Sequence, residues 1–220
     1  MEGVPGMSVI HKLYARALPR ALRSYHRYII FVAILFITCM VVGFKGYRPS
    51  PDGSLPWALR GLAELSDKLA SGPLWKRLLT LLWNNMRVTL VSLALGWLLG
   101  IVPIISTCLN GVVIGMAVKM VMVRSGWSMG MVSLSFLPHG VFEIPAFLVG
   151  QAIGVRIGFL TPLAWRGKAT SKDLGRMAAE SLTLLAAAIV PLLALAALLE
   201  LTLTPAVIRW MSPSWPPFMP

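Results

Sequence analysis

Charged residues are scarce in this sequence, and so are the residue types that usually build catalytic and metal sites. Asp, Glu, Lys and Arg make up 13% of the 220 residues, whereas a soluble domain carries about 25%. The chain is 57% hydrophobic, with a mean hydropathy of +0.76. A water-soluble fold of this length could not bury so much apolar surface, so lipid is the solvent for most of the chain.

Only two cysteines and three histidines are present. Cys39 and Cys108 lie in apolar runs, so we predict reduced, lipid-buried residues and neither a disulfide nor a metal site. A zinc metalloprotease needs two histidines one helical turn apart with an adjacent glutamate. The segment from His139 to Glu143 lacks the second histidine, and the other two histidines lie in the N-terminal leader.

No G-x-S-x-G elbow and no Walker-type phosphate loop occurs either. The sequence therefore contains no complete catalytic or metal constellation, and it predicts no cofactor. This favours a function without catalysis. A membrane enzyme that takes further ligands from elsewhere in the chain is an alternative, ranked below the scaffold and conduit functions described at the end of this subsection.

Acidic residues are outnumbered, with 8 Asp and Glu against 20 Lys and Arg and a formal net charge of +12. The basic residues cluster beside apolar runs and lack an aromatic stacking platform, which excludes nucleic acid and favours anionic lipid head groups as partners. Residues 1–27 form a basic leader that we place in the cytoplasm. It precedes a retained first span rather than a cleaved signal peptide, because no small-residue cleavage site follows Phe44.

The apolar tracts predict an all-α, polytopic transmembrane helix bundle. The uncharged tract 88–118 would be about 46 Å long as one helix, against a hydrocarbon core of about 30 Å, so it must fold back. Asn110-Gly111 is the predicted turn, since both residues tolerate left-handed backbone angles. The predicted spans, about five in one membrane domain 28–203, are residues 28–44, 83–108, 111–123, 138–160 and 177–203, the last kinked at Pro191.

Three other segments complete the predicted organisation. Residues 55–77 place leucines at spacings of three and four, as in an amphipathic helix that lies in the membrane interface. Residues 126–137 are apolar but too short to cross, which predicts a re-entrant piece before Pro138 opens the fourth span. Residues 204–220 form a Pro/Trp-rich tail. Four crossings separate the leader from the second basic cluster 156–176, so both are expected in the cytoplasm and the C-terminus outside the cell.

Small residues spaced by four predict close packing of the spans. Membrane helices associate where small side chains let backbones approach. The second, third and fourth spans carry such residues and are expected to pack as one unit, within one chain or between two copies. The predicted packing glycines are Gly96, Gly100, Gly111, Gly115, Gly140, Gly150, Gly154 and Gly158.

Ionisable residues within spans are read as functional by default. His139 and Glu143 are one helical turn apart and are expected to point into the bundle. Lys119 lies at a similar depth, so we predict that it pairs with Glu143 or that His139 caps the arrangement; the alternative is that Lys119 snorkels to the head groups. The predicted polar cluster also includes Gln151, Asn84, Asn85 and Asn110, where the asparagines have an alternative role as helix caps.

The segments "LLWNNMRVTLVSLALGWLLGIVPIISTCLNGVVIGMA" and "LPHGVFEIPAFLVGQAIGVRIG" together resemble the stage II sporulation protein M family. The shared features are a paired asparagine, an Asn-Gly, repeated Gly-xxx-Gly and a His-Gly-xx-Glu-xx-Ala signature. They fall on Asn84, Asn85, Gly96, Gly100, Asn110, Gly111, Gly115, His139, Gly140, Glu143 and Ala146.

The resemblance implies an integral membrane protein without established catalysis, which in spore formers acts as a scaffold that recruits cell-wall hydrolases. We therefore predict a multi-pass scaffold that organises membrane or extracytoplasmic protein partners. The alternative is a conduit for protons, ions or lipids that uses His139, Glu143 and Lys119.

Overall fold

The computed structural model describes residues 5–212, and this part of the chain forms helices without a strand. The predicted all-α fold class is confirmed. The helices, in chain order, are α1 (Pro5–Lys12), α2 (Leu18–Gly46), α3 (Trp57–Ala70), α4 (Leu74–Ala94), α5 (Ile101–Ser125), α6 (Met129–Trp165), α7 (Ser171–Leu184) and α8 (Val190–Met211).

Two widened, π-type turns join α1 to α2 and α7 to α8 without a break. They cover Leu13–Ala17 and Leu185–Ile189, and each is followed closely by a proline, Pro19 and Pro191. A proline has no N–H, and its ring clashes with the carbonyl four residues earlier. An extra residue in the preceding turn makes room for that ring, so the irregularity predicted at Pro191 takes the form of a π turn.

Four continuous helices among the described residues are long and apolar enough to cross a membrane. The helix α4, with 21 residues, lies against α6 and α8 and completes a bundle of five long helices. The predicted first and last spans are contained in longer helices, one of which includes most of the leader while the other extends into the predicted tail. Residues 1–4 and 213–220 lie outside the described part. The four candidates are Val9–Gly46, Ile101–Ser125, Met129–Trp165 and Ser171–Met211.

The contacts define two ends of the bundle. Near the N-terminal part of α2, Ser24 hydrogen-bonds Glu180 of α7, so the leader and the segment 166–170 before α7 lie at one end, called here the basic end. At the opposite end, Leu59 of α3 packs with Tyr47 and Ala117 in a buried cluster. We call this the α3 end, and α2, α5 and α8 run toward it while α4 and α6 run away from it.

The predicted turn at Asn110-Gly111 is wrong, because both residues lie inside α5. The chain reverses instead over residues 95–100, where Leu99 and Gly100 adopt left-handed backbone angles with φ of 55° and 72°. Inside α5, the Asn110 side chain donates to the Ser106 carbonyl at 2.8 Å. Consequently α4 and α5 replace the predicted spans 83–108 and 111–123.

Two further boundaries differ from the prediction. The helix α6 begins at Met129, with the Ser128 hydroxyl accepting from the backbone N–H of Met131 at 3.4 Å, and Pro138 lies in its interior. Residues 129–137 are therefore the first turns of a long helix rather than a separate re-entrant piece. The amphipathic helix α3 ends at Ala70, and the following Gly72 has a positive φ of 102°, so the predicted segment 55–77 is divided between α3 and α4.

Candidate functional site

An acidic cluster with one histidine lies between α6 and α8, toward the α3 end of the bundle. His139 and Glu143 are four residues apart on α6, and Glu200 and Thr204 are four residues apart on α8, so each pair shares a helix face. The two faces meet where α6 packs against α8. Ligand atoms of His139, Glu143 and Glu200 all lie within 4.8 Å of one another.

The hydrogen bonds in this cluster are unevenly distributed. The Nδ1 atom of His139 is 3.0 Å from the Thr204 hydroxyl, and the Asn85 side-chain amide of α4 interacts with the Glu143 carboxylate. In the described part of the chain, Glu200 accepts no hydrogen bond and neither glutamate forms a salt bridge. Two ionised carboxylates at 4.8 Å would repel each other by about 3.5 kcal/mol at an effective dielectric constant near 20. The cluster therefore requires a proton or a cation between its two carboxyl groups.

A cavity of about 70 Å³ adjoins the cluster. One water needs roughly 10–15 Å³ of such volume, so the cavity has room for several water molecules. Its polar lining comes from three helices: Asn84 and Asn85 of α4, Asn110 of α5 and Glu143 of α6. The structure thus brings together four of the seven polar residues that the sequence singled out, and His139 lies beside them.

Lys119 lies elsewhere, and the predicted pair with Glu143 is wrong. The Lys119 ammonium is 5.1 Å from the centre of the Phe44 ring of α2, a cation–π contact. Lys119 is one turn beyond Gly115, whose face of α5 packs on α2, so the same helix face carries Lys119 away from α6.

Gln151 also lies apart from the cluster, about two turns closer to the basic end. It is fully buried, and its Oε1 atom accepts from the Ser92 hydroxyl of α4 at 2.7 Å. Its Nε2 atom has no hydrogen-bond partner among the described residues. Gln151 therefore connects α4 to α6 and is not one of the residues that line the cavity.

The packing glycines lie on two seams. On the first, between the α4–α5 turn and α6, a Cβ atom at Gly96 would lie 2.6 Å from the Gly154 carbonyl oxygen. On the second, between α5 and α2, a Cβ atom at Gly111 would lie 2.7 Å from the Phe36 carbonyl oxygen. Gly140 differs, because its nearest neighbour is Ile144 of its own helix at 3.9 Å. The first seam also includes Gly100, Gly150 and Gly158, and the second includes Gly115.

An ion pair at the basic end was not predicted from the sequence. Arg156 Nη1 lies 2.8 Å from Glu180 Oε2, and the Ser24 hydroxyl donates to the same oxygen at 2.8 Å. The guanidinium lies 4.2 Å from the centre of the Tyr25 ring, whose hydroxyl is 2.7 Å from that of Ser181. These contacts connect α2, α6 and α7.

Glu200 was also missed as a site residue. The sequence places it near the end of the last span, and the rule that marked Glu143, an ionisable residue in an apolar helix, applies to it equally. Which helix it would face depends on the packing of α8 against α6, two helices separated by more than 20 residues of chain.

The comparisons agree with the membrane architecture. The family model described as SpoIIM, Stage II sporulation protein M, matches residues 31–205, a range that includes the cluster, the cavity lining and both glycine seams. The searches of curated proteins and of solved structures found no match. The resemblance seen in the sequence is confirmed. Together with the long apolar helices of the chain, it indicates a multi-pass membrane protein. The chain belongs to the stage II sporulation protein M family.

Proposed function

We propose that this protein is a membrane scaffold that organises or recruits partner proteins at the bilayer surface. The observation that carries this proposal is the attachment of α3 across the end of the bundle. Leu59, near its start, packs with Tyr47 after α2 and Ala117 of α5, whereas Leu69, near its end, packs with Leu81 of α4 and Ala197 of α8. Three helices and the residue that follows α2 therefore contact α3, at both of its ends.

The opposite face of α3 is free within the described chain and carries charge of both signs. Leu62 is 42% exposed, and the exposed charged residues are Arg60, Glu64, Asp67 and Lys68. These charges sum to zero, so the face is not selective for anionic head groups. A rigidly held face of mixed charge suits a protein partner, since such charges favour specific partner choice and docking register.

Photocrosslinking in native membranes tests the scaffold function. A photoreactive amino acid in place of Glu64 should give a discrete adduct with a partner protein. The matched control is the same substitution at Ile34, which is 62% exposed on the apolar part of α2. Adducts that are absent at position 64, or identical at both positions, would contradict the scaffold.

A conduit is the second candidate function, and the polar cavity specifically favours it. A cavity with room for several waters, lined by a glutamate and three asparagines within an apolar bundle, is the kind of site that carries protons or ions. Vesicles that contain the purified protein should then show proton or ion flux that Glu143→Gln abolishes and Glu64→Gln preserves. Vesicles as tight as protein-free vesicles would exclude this function.

We further place the basic end in the cytoplasm and the C-terminus outside the cell. The leader contributes Lys12, Arg16, Arg20, Arg23 and Arg27, and a second basic group lies at the same end: Arg166, Lys168, Lys172 and Arg176. Lys and Arg in short loops set orientation toward the cytoplasm. Reporter fusions should be active in the cytoplasm at the N-terminus and outside it at the C-terminus; both reporters on one side would contradict this orientation.

A further inference from the structure

We propose that His139, Glu143 and Glu200 bind a divalent transition-metal ion with preference for nitrogen and oxygen ligands, such as Zn²⁺ or Mn²⁺. One imidazole and two carboxylates form a donor set that such ions accept. His139 and Glu143 are evident in the sequence, and two ligands cannot make a three-ligand site without a further ligand from elsewhere in the chain. The third ligand comes from α8, and the proposal rests on neither the scaffold nor the conduit function.

The distances suit a metal ion after small side-chain movements. The three ligand atoms lie within 4.8 Å of one another. Tetrahedral ligands at about 2.1 Å from a zinc ion are about 3.4 Å apart, so each atom has to move inward by roughly 1 Å or less. Rotation of side-chain torsions provides such a shift without any movement of α6 against α8.

The charge balance independently indicates a cation. Glu200 is half-buried, it accepts no hydrogen bond from the described residues, and its carboxylate lies within 4.8 Å of that of Glu143. From α4, α5 and α2 the neighbouring groups at the cavity are uncharged: Asn84, Asn85, Asn110 and Phe36. A divalent ion would neutralise the two carboxylates, and buried charges are normally paired or bound to metal.

The surrounding hydrogen bonds orient the ligands as outer partners do in metal sites. Thr204 lies 3.0 Å from Nδ1 of His139, so the ring can donate Nδ1–H to it and keep the lone pair of Nε2 for the ion. Asn85 interacts with the Glu143 carboxylate in the same way. The adjoining cavity of about 70 Å³ has room for the water that would take the fourth coordination position.

Metal binding is measured on the full chain in detergent with Zn²⁺ and Mn²⁺ as the probes. The protein is stripped with a chelator, reloaded and analysed by mass spectrometry for bound metal, and its affinity is determined by competition with a chromophoric chelator. One ion per chain is expected, and Glu200→Gln should weaken binding at least 100-fold. Thr204→Val should weaken it about 10-fold, as loss of an outer hydrogen-bond partner does, whereas Glu64→Gln, at an exposed carboxylate, should change nothing.

The absorption spectrum of Co²⁺ bound to the wild-type chain gives a second readout that needs no variant. Visible bands of four- or five-coordinate Co²⁺ that Zn²⁺ displaces would support the site even if Glu200→Gln fails to fold. The absence of stoichiometric binding by Zn²⁺ and Mn²⁺, or equal affinities of Glu200→Gln and Glu64→Gln, would overturn it. Partner crosslinking at position 64 is unaffected by either result, so failure of the metal site and failure of the scaffold are distinguishable.

Discussion

Replacing Glu180 by Gln should lower the stability of the bundle more than any other single-charge change at the basic end. The substitution keeps the size of the side chain and an oxygen that can accept from Ser24 and Arg156. It removes only the negative charge that lies 2.8 Å from the guanidinium. The Arg156 charge then remains in the contact among α2, α6 and α7 without its counterion.

The expected loss follows from burial. The Arg156 and Glu180 side chains are 14% and 15% exposed, so water screens them weakly. Removing one partner of a buried pair costs about 3–5 kcal/mol. Because Gln preserves the hydrogen bonds and a little water reaches the pair, we expect about 2–3 kcal/mol. For a chain of this size the loss corresponds to a fall in Tm of about 4–12 °C.

Thermal unfolding in detergent, followed by tryptophan fluorescence, measures this shift. The control is Arg176→Gln, which breaks the exposed pair with Asp173, whose side chains are 67% and 43% exposed. Exposed pairs contribute about 0–1 kcal/mol, so the control should change Tm by about 4 °C at most and by less than Glu180→Gln does. The double variant Glu180→Gln, Arg156→Met should recover part of the loss, because no unpaired charge remains. Equal shifts in Glu180→Gln and Arg176→Gln would refute the reasoning.

Three further predictions concern single positions. Gly158→Ala should destabilise the fold by more than 2 kcal/mol in chemical unfolding, because its Cβ would overlap the neighbouring turn. Gly140→Ala, whose Cβ would meet only Ile144 at an ordinary contact distance of 3.9 Å, should stabilise the fold by up to about 1 kcal/mol. Leu99→Val should cost about 1 kcal/mol, since a branched side chain resists a φ of 55°, and Leu99→Gly should not. A hydrogen bond from Ser50 lowers the pKa of the Asp52 carboxyl to about 2. Carbon NMR should therefore show Asp52 ionised above about pH 4 and losing its charge as the pH falls through 2, and Ser50→Ala should raise the titration midpoint of Asp52.

The sequence was sufficient for features that depend on local spacing. Apolar tracts identified the helical membrane class, and a step of four residues placed His139 and Glu143 on one face of α6. The position of the α4–α5 turn could not be decided in this way, because two glycine-containing segments offered comparable local signals. Packing decided it: Gly111 is needed within a helix, where the backbone of α2 at Phe36 approaches it closely.

Features that depend on contacts between helices distant in the chain could not be predicted from the sequence. Lys119 and Glu143 were placed at similar depth, but depth does not say which neighbour a residue faces. The glycine stripe contained the missing information, since Gly111, Gly115 and Lys119 follow one another at steps of four and share a partner helix. Glu200 and the Arg156–Glu180 pair needed knowledge of the α6–α8 and α6–α7 contacts.

The π turn at Leu185–Ile189 determines how Glu180 and Glu200 are oriented relative to each other about the helix axis. A π turn contains one residue more than an α-helical turn, and one residue corresponds to a rotation of about 100° about the helix axis. Glu180 precedes this turn and Glu200 follows it. Deleting one residue from this turn would allow regular α-helix throughout, and both glutamates would keep their orientation because the extra residue is absorbed within the turn. Deleting a residue elsewhere between them, with the π turn retained, would rotate one glutamate by about 100° away from its contacts, so the π turn sets the angular phase between the Arg156 pair and the cluster with His139.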